Sequence, residues 1–384
     1  MKKRIILLAL ALSVALTGCE VMLERSYSAS SPHVDKLTTA GDPSVVRVET
    51  YRELVSALLY LVSRGEEEGA IQFYSYTSDV EADLTAACLE VTTQDPLGAY
   101  AVDYIRHELS QVVAYDQANL SIHYRRTLEQ IRSLVNVTGT SAIRTEIQTA
   151  LSNFEEELVL RVAYFSEDEA FLRELIRQAY YDTPVTAMGM PKVEIALYPD
   201  SGRQRVVEIL LTYPGDRYEL RSNAGDLSQL VEGIAETYWD LPPEQIPEKA
   251  AQALLDRVRY DPEGPVSAYG ALTEGRANSE GMALCYDLLC GRAFVTRDWD
   301  CDVVEGTYQG EGRFFNAIRS PNAGEPVLYA DATRFGAEGL QLYTGQEMLG
   351  MGYLWPGAPV NEEEPQAEGE QESEETAAAE IQPE

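Results

Sequence analysis

Residues 269–283 read YGALTEGRANSEGMA, and this stretch decides the fold of the last third of the chain. Ala277 and Asn278 lead into Ser279, from which a helix continues as EGMALCYDLLCGRAF. Upstream, Ile246 to Val258 (IPEKAAQALLDRV) carries Ala250, Ala253, Leu254, Leu255 and Val258 at helical spacing. Arg259-Tyr260-Asp261-Pro262 stops that helix. Downstream stand two further short stretches, Arg313-Phe314-Phe315-Asn316-Ala317-Ile318 and Tyr329-Ala330-Asp331-Ala332-Thr333.

Taken in order, these stretches resemble the transglutaminase-like superfamily within the papain-like cysteine enzymes. The family pattern Y-G-x-L-x-x-G-x-A-x-C-E-G-Y-A is matched through Tyr269, Gly270, Leu272, Gly275, Ala277, Glu280, Gly281 and Ala283. Val303-Val304-Glu305-Gly306 is similar to the strand that follows the family's nucleophile helix. The resemblance spans about Ile246 to Trp355, under a third of the chain. It implies a helix packed on an antiparallel sheet, with nucleophile, base and orienting carboxylate on three separate elements.

Two of those three positions are altered. The family cysteine is replaced by Ser279 and the histidine of H-A-W-N-x-V by Arg313, whereas Asp331 of D-x-T is kept. A thiol at the start of a buried helix ionises near neutral pH with help from the helix dipole and an adjacent imidazole. A serine hydroxyl needs a general base within hydrogen-bond reach. A guanidinium stays protonated and cannot be that base. The resemblance therefore implies a degenerate triad of Ser279, Arg313 and Asp331, with no catalytic residue and no cofactor. Two roles for the altered site stay open. Ser279, Arg313 and Asn316 form a binding site for a carboxylate, such as a peptide terminus, or Arg313 pairs with Asp331 as a structural ion pair. An alternative function is a serine-based acyl hydrolase or peptidase using Ser279, with a base from elsewhere. His107 and His123 are the histidine candidates, and a structural role fits them as well.

The region before the last domain reads as a duplication. Tyr51–Arg64 is helical, Ala70–Tyr76 strand-like, Asp79–Leu109 mostly helical, and Gln111–Arg126 a hairpin turning near Gln117-Ala118-Asn119. The order recurs as helix Ile143–Glu157, strand Leu158–Phe165, helix Glu167–Tyr181 and a hairpin over Pro191–Tyr213 turning at Asp200-Ser201-Gly202. Two α-β-α-β-β units about 90 residues apart are expected. Asp226–Pro247, with its prolines, reads as a hinge.

The ends carry other instructions. Lys2, Lys3 and Arg4 precede an apolar run from Ile5 to Ala15, which is too short to span a bilayer. Leu16-Thr17-Gly18-Cys19 resembles a bacterial lipobox. That resemblance implies a signal peptide over 1–18 and a lipid-bearing Cys19 that anchors the chain outside the cytoplasm. Residues 19–42 read as anchor and tether. Residues 361–384 hold ten Glu and no Lys or Arg, and read as an acidic disordered tail. The formal charge is −33, and the body stays near −23 once the tail's ten charges are removed. That balance excludes nucleic acid as a partner.

Of five cysteines, Cys19 is assigned to lipid. Cys88, Cys285, Cys290 and Cys301 lack CxxC spacing, and both a Cys290–Cys301 bridge and free buried thiols stay open. Asp298, Asp300 and Asp302 in DWDCD lack the glycine and glutamate of a calcium loop, so no metal is expected. The aromatic and Met-rich segment from Tyr343 to Trp355 is read as packing on the domain.

The expectation is an α+β fold: a duplicated α/β region over 43–226 (about 43–127 and 128–226), then a transglutaminase-like domain over 227–360. The expected function is an envelope lipoprotein that binds an unidentified protein, peptide or glycan at a catalytically inactive domain.

Overall fold

The computed structural model describes residues 38–39, 44–112, 114–295, 297–322, 324–336 and 339–359. The expected signal peptide, Cys19, most of the tether and the acidic segment 361–384 lie outside them. The fold is α+β.

Unit one begins with β1 (Thr38–Thr39) and β2 (Val45–Val48). Helix α1 (Tyr51–Arg64) follows, started by a Thr50–Glu53 capping box and ended by Gly65 in the left-handed region. Its buried face is Leu54, Ala57, Leu58, Leu61 and Val62. Then come β3 (Glu68–Phe73), α2 (Val80–Thr93), α3 (Pro96–Ala101), β4 (Val102–Val112) and β5 (Tyr115–Tyr124). The sheet order is β1-β2-β3-β5-β4. After the short α4 (Leu128–Arg132), unit two repeats the plan with β6 (Val135–Thr138), α5 (Thr140–Ser152), β7 (Glu157–Ala163), α6 (Glu169–Tyr181), β8 (Lys192–Tyr198) and β9 (Arg205–Thr212). Its order is β6-β7-β9-β8, the same as β2-β3-β5-β4. The β2–β3 and β6–β7 pairs are parallel, and the other pairs of both sheets, β1–β2 included, are antiparallel.

Three readings change. Each unit gains a leading strand, so the unit is β-α-β-α-β-β; β2 and β6 are four residues long, too short for a periodicity signal. The helical part of Asp79–Leu109 stops at Ala101, and Val102 turns extended into an eleven-residue strand. Glu, Leu and Arg there favour helix locally, but cross-strand pairing with β5 decides the conformation. The first hairpin turns between Val112 and Tyr115, not at 117–119. Gln117, Ala118 and Asn119 lie mid-strand opposite Gln72, Ile71 and Ala70, and Ala118 is buried with Leu120 and Ile122. The second hairpin turns where expected, between β8 and β9.

The last part contains α7 (Arg217–Ala235), α8 (Ile246–Leu255), β10 (Arg259–Tyr260), α9 (Ala268–Glu274), β11 (Arg276–Ala277) and α10 (Ser279–Phe294). A five-stranded antiparallel sheet follows: β12 (Asp300–Tyr308), β13 (Glu311–Arg319), β14 (Leu328–Ala330), β15 (Tyr343–Thr344) and β16 (Tyr353–Leu354), in the order β15-β14-β13-β12-β16. Helix α11 (Gly345–Gly350) precedes the last strand. Helix α10 is buried almost all round, between α7 and α8 on one side and β12 and β13 on the other. The expected hinge does not interrupt the structure. The 226/227 boundary falls inside α7, whose Leu227, Val231 and Ile234 share one continuous core with unit two and α10. Cys88, Cys285, Cys290 and Cys301 are free and buried. No helix among the described residues is long and apolar enough to cross a membrane.

Candidate functional site

The motif residues of 269–283 are held by packing. Gly275 ends α9 with φ 72°, a conformation glycine adopts without strain. Ala277 pairs with Tyr260 in the short parallel β10–β11 ladder. A Cβ on Gly281 would lie 2.5 Å from the Pro265 carbonyl oxygen. Gly281 therefore lets the first turn of α10 press against the preceding loop. A larger residue there breaks packing rather than filling an open cleft.

This packing places Ser279 at the first position of α10. Asn278 caps the helix, its side chain accepting from the Gly281 N–H at 3.0 Å. Ser279 Oγ accepts from the Phe314 N–H at 3.4 Å. Neither folded histidine faces it. His107 Nε2 lies 3.4 Å from Glu81 Oε1, and His123 stacks on Tyr104, both on the β4–β5 hairpin of unit one.

Arg313 does not pair directly with Asp331. Its Nη1 donates to Thr333 Oγ1 at 2.6 Å, and that hydroxyl donates to Asp331 Oδ1, also at 2.6 Å. The other carboxylate oxygen accepts from Tyr353 OH at 2.6 Å. Asp331 is 2% exposed, and the Thr333 N–H completes its shell at 2.9 Å. Tyr353 in turn accepts from Arg334 Nη1 at 3.4 Å. Burial holds the Tyr353 phenol above its usual pKa, so it stays protonated and donates to the carboxylate.

One buried carboxylate thus orients two arginines through two hydroxyls. Both guanidiniums lie over the ring of Tyr308, Arg313 at 5.6 Å and Arg334 at 5.5 Å, and Arg313 also lies over Tyr260 at 5.5 Å. Among the described residues neither arginine has a carboxylate within salt-bridge distance. The Arg313 Nε is buried and donates to no protein atom. The three charged groups sum to about +1 in a chain whose net charge is −33. Chemically the cluster offers planar, tyrosine-stacked donors to an anion.

Asn316 is not part of that surface. It is 0% exposed, and its amide donates to the Ala283 carbonyl at 3.0 Å, fastening β13 to α10. Arg334 is the residue that sequence reasoning missed. It follows the D-x-T motif by one position, and no spacing signal links it to Tyr308.

On the other side of Ser279, Tyr181 from α6 donates to Glu280 Oε1 at 3.2 Å and lies against Phe314 with ring centroids 5.6 Å apart. Glu305 on β12 sits opposite Phe314 and pairs with Arg177, which also binds Glu174. Burial, with a further push from Glu305, raises the Glu280 carboxyl to about 7. Asp302 pairs with Arg319, and no His, Cys, Asp or Glu cluster among the described residues is placed to hold a metal.

No protein-family model and no curated protein matches the chain. Two solved structures of LapG from Legionella pneumophila are similar to part of it. The EGTA-treated form is 13% identical, covering 35% of this chain and 70% of that one, with a TM-score of 0.23. The other is 16% identical, covering 36% and 87%, with a TM-score of 0.22. Likeness at that level says nothing about activity or ligand.

Proposed function

We propose that this chain is an envelope lipoprotein whose last domain is a transglutaminase-like frame turned from catalysis to binding a carboxylate-bearing protein, peptide or glycan. Arg313 is the observation that carries this reading. It stands where the resemblance places the base, is permanently charged, and has no carboxylate partner among the described residues. Asp331, which would steer an imidazole in an active relative, holds Arg313 and Arg334 through Thr333 and Tyr353. Ser279 meets a backbone N–H rather than a base.

The test has two arms. A fluorophosphonate probe is expected to leave Ser279 unmodified; covalent capture there would sink the binding-only reading in favour of the serine-hydrolase alternative. In the chain ended at Val360, polyglutamate is expected to bind. Arg313→Met should weaken that binding by about tenfold or more, the worth of one charge-assisted hydrogen bond. Unchanged binding would overturn the reading.

The anchor is proposed from the lipobox at Leu16–Cys19 alone. Cys19→Ala is expected to move the chain from the membrane fraction to the aqueous fraction. A variant still sedimenting with membranes would refute lipid attachment at Cys19.

A further inference from the structure

Two guanidiniums sharing one tyrosine ring repel each other unless an anion neutralises them. Asp331 supplies one buried charge to two cations, so the Arg313–Arg334 pair is one anion short. This shortage occurs in a chain with 63 acidic against 30 basic residues.

The course of the chain points to what supplies it. Tyr353 pairs with Tyr308 in the β12–β16 ladder, so the chain crosses beside the shared ring shortly before position 361. It then runs to Pro359, which lies against Gly345 at the start of α11. The first acidic residues beyond are Glu362, Glu363 and Glu364, nine to eleven residues past Tyr353. Counted from Pro359, an extended chain spans about 10 Å to Glu362 and about 30 Å to Glu368, so the tail has the length to bring its carboxylates to the arginines. Residues 361–384 carry ten Glu and no Lys or Arg, and the remaining body, near −23, repels them elsewhere. A segment tethered this close has an effective concentration on the order of millimolar.

We propose that residues 361–384 of this chain are the resident occupant of the Arg313–Arg334 pair, and that an external carboxylate ligand binds by displacing them. The proposal rests on reading the pair as a carboxylate site and adds a self-ligand to it. The tail then acts as a competitor, setting a threshold that only a denser or better-shaped anion exceeds.

The experiment compares the full chain with one ended at Val360. The probe is a fluorescent synthetic peptide of residues 361–384, followed by anisotropy at low and physiological salt. The shortened chain is expected to bind it, and the full chain to bind about tenfold or more weakly because its own tail competes. Salt should weaken both. Replacing all ten tail glutamates by Gln in the full chain leaves the folded body untouched and should restore binding to the level of the shortened chain. Arg334→Met, at an exposed position, should lower it in every form. Equal binding by full and shortened chains, or no recovery in the Gln-tail form, overturns the self-ligand while leaving the carboxylate site standing. If the shortened chain binds neither this peptide nor polyglutamate, the carboxylate site falls, and the self-ligand with it.

Discussion

Arg126→Met is expected to cost about 3–5 kcal/mol of stability, the loss typical when one partner of a buried ion pair is removed. Arg126 follows β5 in unit one, and its Nη2 donates to Glu208 Oε2 at 2.6 Å and to Tyr198 OH at 3.1 Å. Its guanidinium lies over Tyr100 at 4.9 Å and Tyr198 at 5.9 Å. Glu208, on β9 of unit two, is 5% exposed, and its remaining side-chain donor is Tyr198 OH at 3.2 Å. Without the arginine a carboxylate stays buried between the units with one phenol to satisfy it. The neighbourhood is apolar: Val159 and Val206 of unit two belong to the core of unit one. One control separates charge from volume. Arg126→Met with Glu208→Leu is expected to recover most of the loss, since an apolar pair of similar volume removes the stranded charge. Urea unfolding of the three forms measures it, and a loss under about 1 kcal/mol for Arg126→Met would show that water reaches Glu208.

This pair also shows what a sequence conceals. The duplication was legible because helices such as YRELVSALLYLVSR and the Asp200-Ser201-Gly202 turn carry their own local signals. The turn between Val112 and Tyr115 carries none of comparable strength, and the run Gln117–Asn119 inside the following strand mimics a turn more closely than the turn itself does. Nothing local marks Arg126 or Glu208 as partners 82 residues apart. At the candidate site the motif glycines and alanines are readable because backbone contacts demand small residues, as at Gly281 against Pro265. The role of Asp331 was half readable. Its kept position announced an orienting carboxylate, but a direct pair with Arg313 was the simplest guess. The Thr333 hydroxyl belongs to the same short stretch as Asp331, but the Tyr353 hydroxyl arrives from β16, 22 residues further along the chain. Asn316 reads as a ligand contact from the resemblance alone, yet its amide fastens β13 to α10.

Glu280→Gln is expected to stabilise the chain by about 3 kcal/mol at pH 8 and to leave it unchanged at pH 4, the window following from the raised carboxyl. The folded value is about 7 against an ordinary 4.5. Below 4.5 the carboxyl is protonated in both folded and unfolded chains, so it favours neither. Between 4.5 and about 7 the unfolded chain loses its proton and the folded chain keeps it, so stability falls as pH rises. Above about 7 both are ionised and the loss is complete. The groups that face Glu280 are Tyr181 from α6, which donates to it, and Glu305 from β12, whose charge opposes its ionisation and is itself held by Arg177. A glutamine keeps the acceptor for Tyr181 and cannot ionise, so the difference between the two chains isolates this one proton. Urea midpoints at half-unit steps from pH 4 to 8 give the curve. A constant offset between the chains at every pH would mean that Glu280 reaches solvent, and that α6 does not seal this flank of Ser279.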